Sequence, residues 1–190
     1  GPFAPGGANT LTIQGSLINM PTGAVEIDIT RTNLDLTSDR LAVTGPATLR
    51  GELRFTQFGP GTPPLNSSAI LLTASNVTGQ FDTVTGAVIG GVRFLGVEYT
   101  PTQIAARVFD ATGLQITPQP VQTYAGFTVS AAAFAAVSSG PPQNVTGSAQ
   151  WSSDASAVAQ VNAAGVVTGI APGSTTLRAS FVGFNAQAPL

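Results

Sequence analysis

Residues 151–181 read as short strands cut apart by tight turns, and this punctuation constrains the fold more than any other feature. The stretch is WSSDASAVAQVNAAGVVTGIAPGSTTLRASF. A first strand ends in Trp151, whose indole is large enough to anchor a sandwich core. A second covers Ala157 to Val161. The turn Asn162-Ala163-Ala164-Gly165 supplies a glycine where a positive φ is needed. Val166 to Ile170 follows, then the turn Ala171-Pro172-Gly173. The last strand sets Thr175, Leu177, Ala179 and Phe181 on one face and Thr176, Arg178 and Ser180 on the other. Elsewhere the chain's 22 glycines and 14 prolines also cluster between apolar runs, as turn punctuation does. An all-β fold is the expectation.

The same residues carry a resemblance. Trp151, Ser153, Val158, Ala159, Val161, Gly165, Val167, Thr168, Gly169, Gly173 and Ala179 fall where the bacterial Ig-like group 2 pattern (BIG2) wants them, and Asp154 stands one place before its acidic position. That pattern reads W-x-S-x-D, V-A-x-V, G-x-V-T-G, G and T-x-x-A in its C-terminal half. Turn glycines, the tryptophan and strand spacing agree together over about residues 112 to 185. The resemblance implies a small Ig-like β-sandwich for residues 111–190. Upstream of it, Phe127, Val129, Ala131 and Ala133 share one face, as the family's second strand requires. Leu114 to Thr117 forms the opening strand, stopped or placed at an edge by Pro118 and Pro120. Asp110-Ala111-Thr112-Gly113 separates this half from residues 1–110.

The first half opens with a Gly/Pro/Ala-rich connector, Gly1 to Asn9, in which Gly1-Pro2 reads as the scar of a removed tag. The chain reads as a piece of a longer protein. Leu11 and Ile13 point inward from a first strand. Ala24 to Thr30 is the cleanest strand, with Val25, Ile27 and Ile29 on one face and Glu26, Asp28 and Thr30 on the other. Arg31 to Asp39 reads as a loop. In the strand Leu49 to Phe55, Leu49, Gly51, Leu53 and Phe55 oppose Arg50, Glu52 and Arg54. Gly59 to Pro64 is a rigid loop. Ala69 to Leu72 suits a strand covered on both faces, Asn76 to Gly79 a turn, and Gly86 to Gly91 a flexible connection. Val92 to Tyr99 and Ile104 to Phe109 pair across Thr100-Pro101-Thr102, with Ile104, Ala106 and Val108 inward. The series from Leu11 to Val108, and Asp39-Arg40-Leu41-Ala42-Val43-Thr44-Gly45 above all, resembles the closing segment of exported bacterial β-solenoid proteins, autotransporter passengers among them. For residues 1–110 that leaves a solenoid end and an open β-sandwich side by side.

Composition removes most chemistry. The chain has no cysteine, histidine or lysine, and 8% of its residues are charged. Ser-His-Asp and Cys-His sites, lysine Schiff bases and the usual zinc ligands cannot be assembled from it. Lys–Asn isopeptide staples are excluded, and the fold must stand without disulfides. The net charge is −2 and the seven arginines are scattered, so no basic stripe offers itself to nucleic acid. No apolar run approaches the roughly 20 residues of a spanning helix, so no membrane insertion is expected of this segment.

The remaining candidates weigh against their structural readings. Glu26 and Asp28, about 7 Å apart by strand geometry, could form a glycosidase pair but read as a solvated strand face. Asp35 and Asp39 flank a polar loop that could hold calcium, without the density of a calcium loop. Asp154 reads as a turn or strand-end hydrogen-bonding residue, and Trp151 as core rather than a sugar-stacking platform. Asn66, Asn76 and Asn144 begin N-x-S/T triplets, the latter two serving their turns. No catalytic, cofactor-binding or metal-binding residue is assigned, and no cofactor. The expectation is a non-enzymatic module at the bacterial cell surface, secreted, acting as stalk, spacer or self-assembling element. It would contact copies of itself or neighbouring domains. A carbohydrate-binding adhesion module and a phage virion appendage are the alternatives.

Overall fold

The computed structural model describes residues 8–190, which divide into two compact units, 8–109 and Asp110–Leu190. The connector expected over Gly1 to Asn9 lies, but for its last two residues, outside the described part. The described residues contain strands and turns and no helix.

In the first unit, three successive segments of about thirty residues each lay down one strand in each of three parallel stacks. The first contributes β1 (Thr10–Ile13), β2 (Leu17–Ile18) and β3 (Ala24–Arg31), followed by the short β4 (Leu36–Ser38). The second contributes β5 (Arg40–Val43), β6 (Ala47–Leu49) and β7 (Glu52–Phe58). The third contributes β8 (Ser68–Thr73), β9 (Val77–Gly79) and β10 (Thr83–Thr85). Strands β1, β5 and β8 pair in parallel, as do β2, β6 and β9, and β3, β7 and β10. Equivalent residues therefore stack: Leu11 on Leu41 on Leu72, and Val25 on Leu53 on Val84. Period-two alternation turns one member of each pair of neighbours inward. The inward set, including Ile27, Leu49, Leu53, Phe55 and Leu71, fills one continuous apolar core. Three further strands, β11 (Val88–Gly90), β12 (Arg93–Tyr99) and β13 (Gln103–Thr117), finish this unit, with β13 antiparallel on β8.

Several expectations change here. Leu49 to Phe55 is two strands meeting at a corner, although Leu49, Gly51, Leu53 and Phe55 are all buried as expected. Gly51 sits at φ +72°, and a Cβ there would collide with the backbone carbonyls of Gly23 and Met20. Alternation continues through the corner because the chain turns without changing its inward face. Val77–Gly79 and Val88–Gly90 are strands rather than turn and connection, and Leu36–Ser38 is a strand inside the expected loop. Val77–Gly79 pairs in parallel with β6, and Val88–Gly90 and Leu36–Ser38 pair antiparallel with β12 and β3, partners that a local reading does not see. Ala69, Leu71 and Leu72 are buried and Ile70 is exposed, so the expected cover over both faces fails at Ile70. Leu11 is 51% exposed because β1 is the outermost strand of its stack. Ile104, Ala106 and Val108 are buried in the core as expected.

The second unit holds the last part of β13 and eight more strands. These are β14 (Thr128–Ser130), β15 (Ala132–Val137), β16 (Gln143–Asn144), β17 (Gln150–Ser153), β18 (Ala159–Val161), β19 (Val166–Gly169), β20 (Thr176–Phe181) and β21 (Phe184–Pro189). They form the antiparallel orders β14-β19-β18 and β17-β20-β21, while β15 pairs with β13 and β16. The expected separator Asp110 to Gly113 is internal to β13, where Ala111 and Gly113 pair with Val137 and Ala136. Strand β13 ends at Thr117, where Pro118 removes the next backbone donor. The long strand expected from Phe127 to Phe134 breaks at Ala131: β14 joins β19 and β15 joins β13. Phe127 accordingly falls outside the strand and is exposed, whereas Ala131 and Ala133 are buried. Leu177, Ala179 and Phe181 are buried on the face expected of them. Strand β21, which pairs with all of β20, was not anticipated.

Candidate functional site

Two surfaces stand out, one in each unit. In the first unit, β1 and β2 have a partner on one side only, and β4 covers β3 only from Ile29 to Arg31. The Asp28 carbonyl still accepts from the Asp39 amide at 3.0 Å, so the backbone donors and acceptors on the free side of Thr10–Ile13, Leu17–Ile18 and residues 24–27 form three unpaired parallel edges among the described residues. Ile18 is exposed beside them. At the other end of the stacks, β9 and β10 are edges too, but β8 is covered by β13.

The edges are held by corner contacts that lock successive segments together. Asn19 is buried and donates through Nδ2 to the Arg50 carbonyl at 2.5 Å. Asp82 accepts from the Gly51 amide at 2.6 Å and from Arg50 Nε at 3.1 Å. On the outer face, Thr85 donates to Glu52 at 2.5 Å and Arg54 pairs with the same carboxylate at 2.8 Å. The Thr85 hydroxyl first, and Arg54 after it, hold the Glu52 carboxyl below its ordinary range against partial burial.

The expected site residues are dispersed or structurally engaged. Glu26 accepts from Thr56 at 3.1 Å. Burial, then the charges of Asp39 and Glu26, raise the Asp28 carboxyl above its ordinary value. Asp35 accepts from the Leu36 amide and Asp39 from the Asn9 amide, at 2.8 and 2.9 Å. Among the described residues no three acidic side chains converge into a metal-holding group. Asn66 lies at φ +70° and accepts from Arg107 at 2.9 Å. Asn144 caps its own turn by accepting from the Thr146 amide at 3.0 Å, and the Asn76 carbonyl accepts from Ala47 at 2.8 Å. Asp154, just past the end of β17, makes a forked ion pair with Arg178 at 2.6 and 2.8 Å. Trp151 lies inside β17, half-buried opposite Ala179, and donates Nε1–H to the Thr146 carbonyl at 3.0 Å.

The exposed aromatics lie elsewhere. Tyr124 is 80% exposed and Phe127 67%, with ring centroids 6.5 Å apart and planes at 80°. Tyr124 lines a cavity of about 350 Å³ whose walls include Val121, Thr123, Val158 and Pro172, and Phe127 stands next to Tyr124 outside that lining. The local signal, Tyr-Ala-Gly-Phe behind two prolines, was present in the sequence, but the strand pattern assigned Phe127 to the core.

No protein-family model matches the chain. It is similar to Ice-binding protein 1 of Shewanella frigidimarina, at 35% identity over 71 residues. The match covers 37% of this chain and 8% of that protein, so the chain spans less than a tenth of this relative's length.

Proposed function

We propose that this chain is a non-catalytic structural module of an exported bacterial surface protein, working outside the cell as stalk, spacer or self-assembling element. In this reading the first unit is the closing end of a β-solenoid and the second a group 2 Ig-like domain. The observation that carries it is the set of three unpaired parallel edges at β1, β2 and β3. A strand edge offers main-chain hydrogen bonds in a fixed direction, and strand addition is a recurrent way for β modules to join. A net charge of −2 leaves little repulsion between copies or neighbours. The missing histidine, cysteine and lysine support the non-enzymatic side of the reading.

Light scattering and electron microscopy over a concentration series test it. Species larger than the monomer, growing with concentration, are expected. A strict monomer throughout overturns association between copies.

Ice binding is a second reading, brought by the name of the partial relative. Its support on this chain is the outer ladder of Thr48 and Thr78, whose hydroxyls stand 3.2 Å apart on adjacent parallel strands. Thermal hysteresis by the full chain that disappears in Thr48→Val with Thr78→Val would favour it, and its absence removes it.

A further inference from the structure

We propose that Tyr124, Phe127 and the adjoining cavity form a binding site for a neutral saccharide. The pair is poorly explained as packing, since both rings are mostly exposed. It is also not a floppy tip. The Phe127 amide donates to the Tyr124 carbonyl at 3.0 Å, and Thr123 Oγ1 donates to the Phe127 carbonyl at 3.1 Å. Gly126 donates to the Gly169 carbonyl at 2.9 Å, and Gly169 donates back to Phe127 at 3.0 Å, pinning the turn to the end of β19. Gly169 is suited to that approach: a Cβ there would collide with the Tyr124 carbonyl. The backbone that carries the two rings is therefore held in one arrangement before any ligand arrives, which lowers the ordering cost of binding.

The chemistry of the walls selects the ligand class. Two aromatic rings set at 80° leave a ring face open to solvent, and such a face packs against the C–H face of a pyranose. The cavity beside it, about 350 Å³, is at the small end of ligand sites and suits a mono- or disaccharide unit. Its lining mixes apolar side chains with Gln122, Thr123 and Tyr124, and contains no charged side chain. An acidic or sulfated sugar, or a charged peptide, would find no counter-charge there and would lose solvation on entry. Uncharged hydroxyls would find both donors and acceptors.

The inference is independent of edge association, because it uses a different unit and a different kind of contact. Affinity electrophoresis of the full chain through gels containing dextran, galactomannan or xylan, with alginate as the charged control, tests it. At least one neutral polymer should retard the chain and alginate should not. Tyr124→Ala should weaken that retardation about tenfold or more, as loss of an anchoring aromatic does. Tyr124→Phe should retain most of it, and Trp151→Phe should leave it unchanged. Circular dichroism and melting of each variant identify any that fail to fold, and Phe127→Ala supplies a second variant of the same site. No retardation by any of the neutral polymers, or retardation indifferent to both ring deletions, overturns the proposal. Sedimentation showing a dimer that Tyr124→Ala dissolves, without saccharide binding, overturns it in favour of a protein occupant.

Discussion

Trp151 shows how a side chain can serve a fold without being fully enclosed by it. Its indole lies opposite Ala179, approaches Gly165 closely enough that a Cβ there would sit 3.3 Å from Cζ2, and ties β17 to Thr146 through one hydrogen bond. Trp151→Ala should cost about 3 kcal/mol in chemical denaturation, through lost packing. Trp151→Phe, which keeps most of the ring and loses the bond, should cost about 1 kcal/mol. Tyr99 offers a second check. Burial, with a further push from Asp82, raises its phenol from 10.0 to about 12, although its oxygen accepts from the Phe81 amide at 3.3 Å. The folded state thus holds this proton more tightly than the unfolded chain. Its stabilising effect is complete below pH 10.0 and is lost as pH rises from there through about 12. Spectrophotometric titration at alkaline pH should show one tyrosine ionising only near 12, and Tyr99→Phe should remove both that step and its share of the alkaline stability loss.

Elements in the first unit depend on corners as much as on strands. Strands β5 and β6 are short, and alone would have little reason to persist. The corners fix where one stack ends and the next begins, and so which residues come into register. At the Arg50–Gly51 corner the requirement is strict, because positive φ and close backbone approach coincide. Gly51→Ala should destabilise the chain by about 3 kcal/mol, combining conformational strain with displacement of two carbonyls. Gly15→Ala is the useful comparison. Its φ is also positive, at +115°, but nothing lies within 4 Å of the added carbon, so thermal melting should show a smaller loss.

At the scale of the whole chain, stability rests on apolar stacking and backbone pairing. The pairs Arg50–Asp82 and Arg178–Asp154 are exposed, Arg54–Glu52 and Arg107–Glu98 only partly buried, and such surface pairs contribute little. Salt should therefore shift the melting temperature only slightly. Chelation should leave it unchanged, since no group of three acidic side chains converges among the described residues. A drop of more than a few degrees in EDTA, restored by calcium, would overturn that expectation and point to the segment from Asp35 to Asp39.

The sequence alone determined the all-β class and, in most of the longer strands, the inward face. Val25, Ile27 and Ile29, or Leu177, Ala179 and Phe181, declare their side by alternation, a local property of the extended chain. Only the tertiary structure decided which strands are neighbours. Parallel pairing joins residues about thirty apart, as Ala47 and Val77 are, so a three-residue run such as Val77–Gly79 becomes a strand through a partner it cannot signal locally. The same holds for β13, whose residues Asp110 to Gly113 have turn composition but continue extended because β15 pairs alongside. It holds also for Phe127, apolar by composition yet left in solvent when the chain changed sheets at Ala131. Alternation is set by the geometry of one strand, whereas partnership is set by the free energy of many distant contacts formed together.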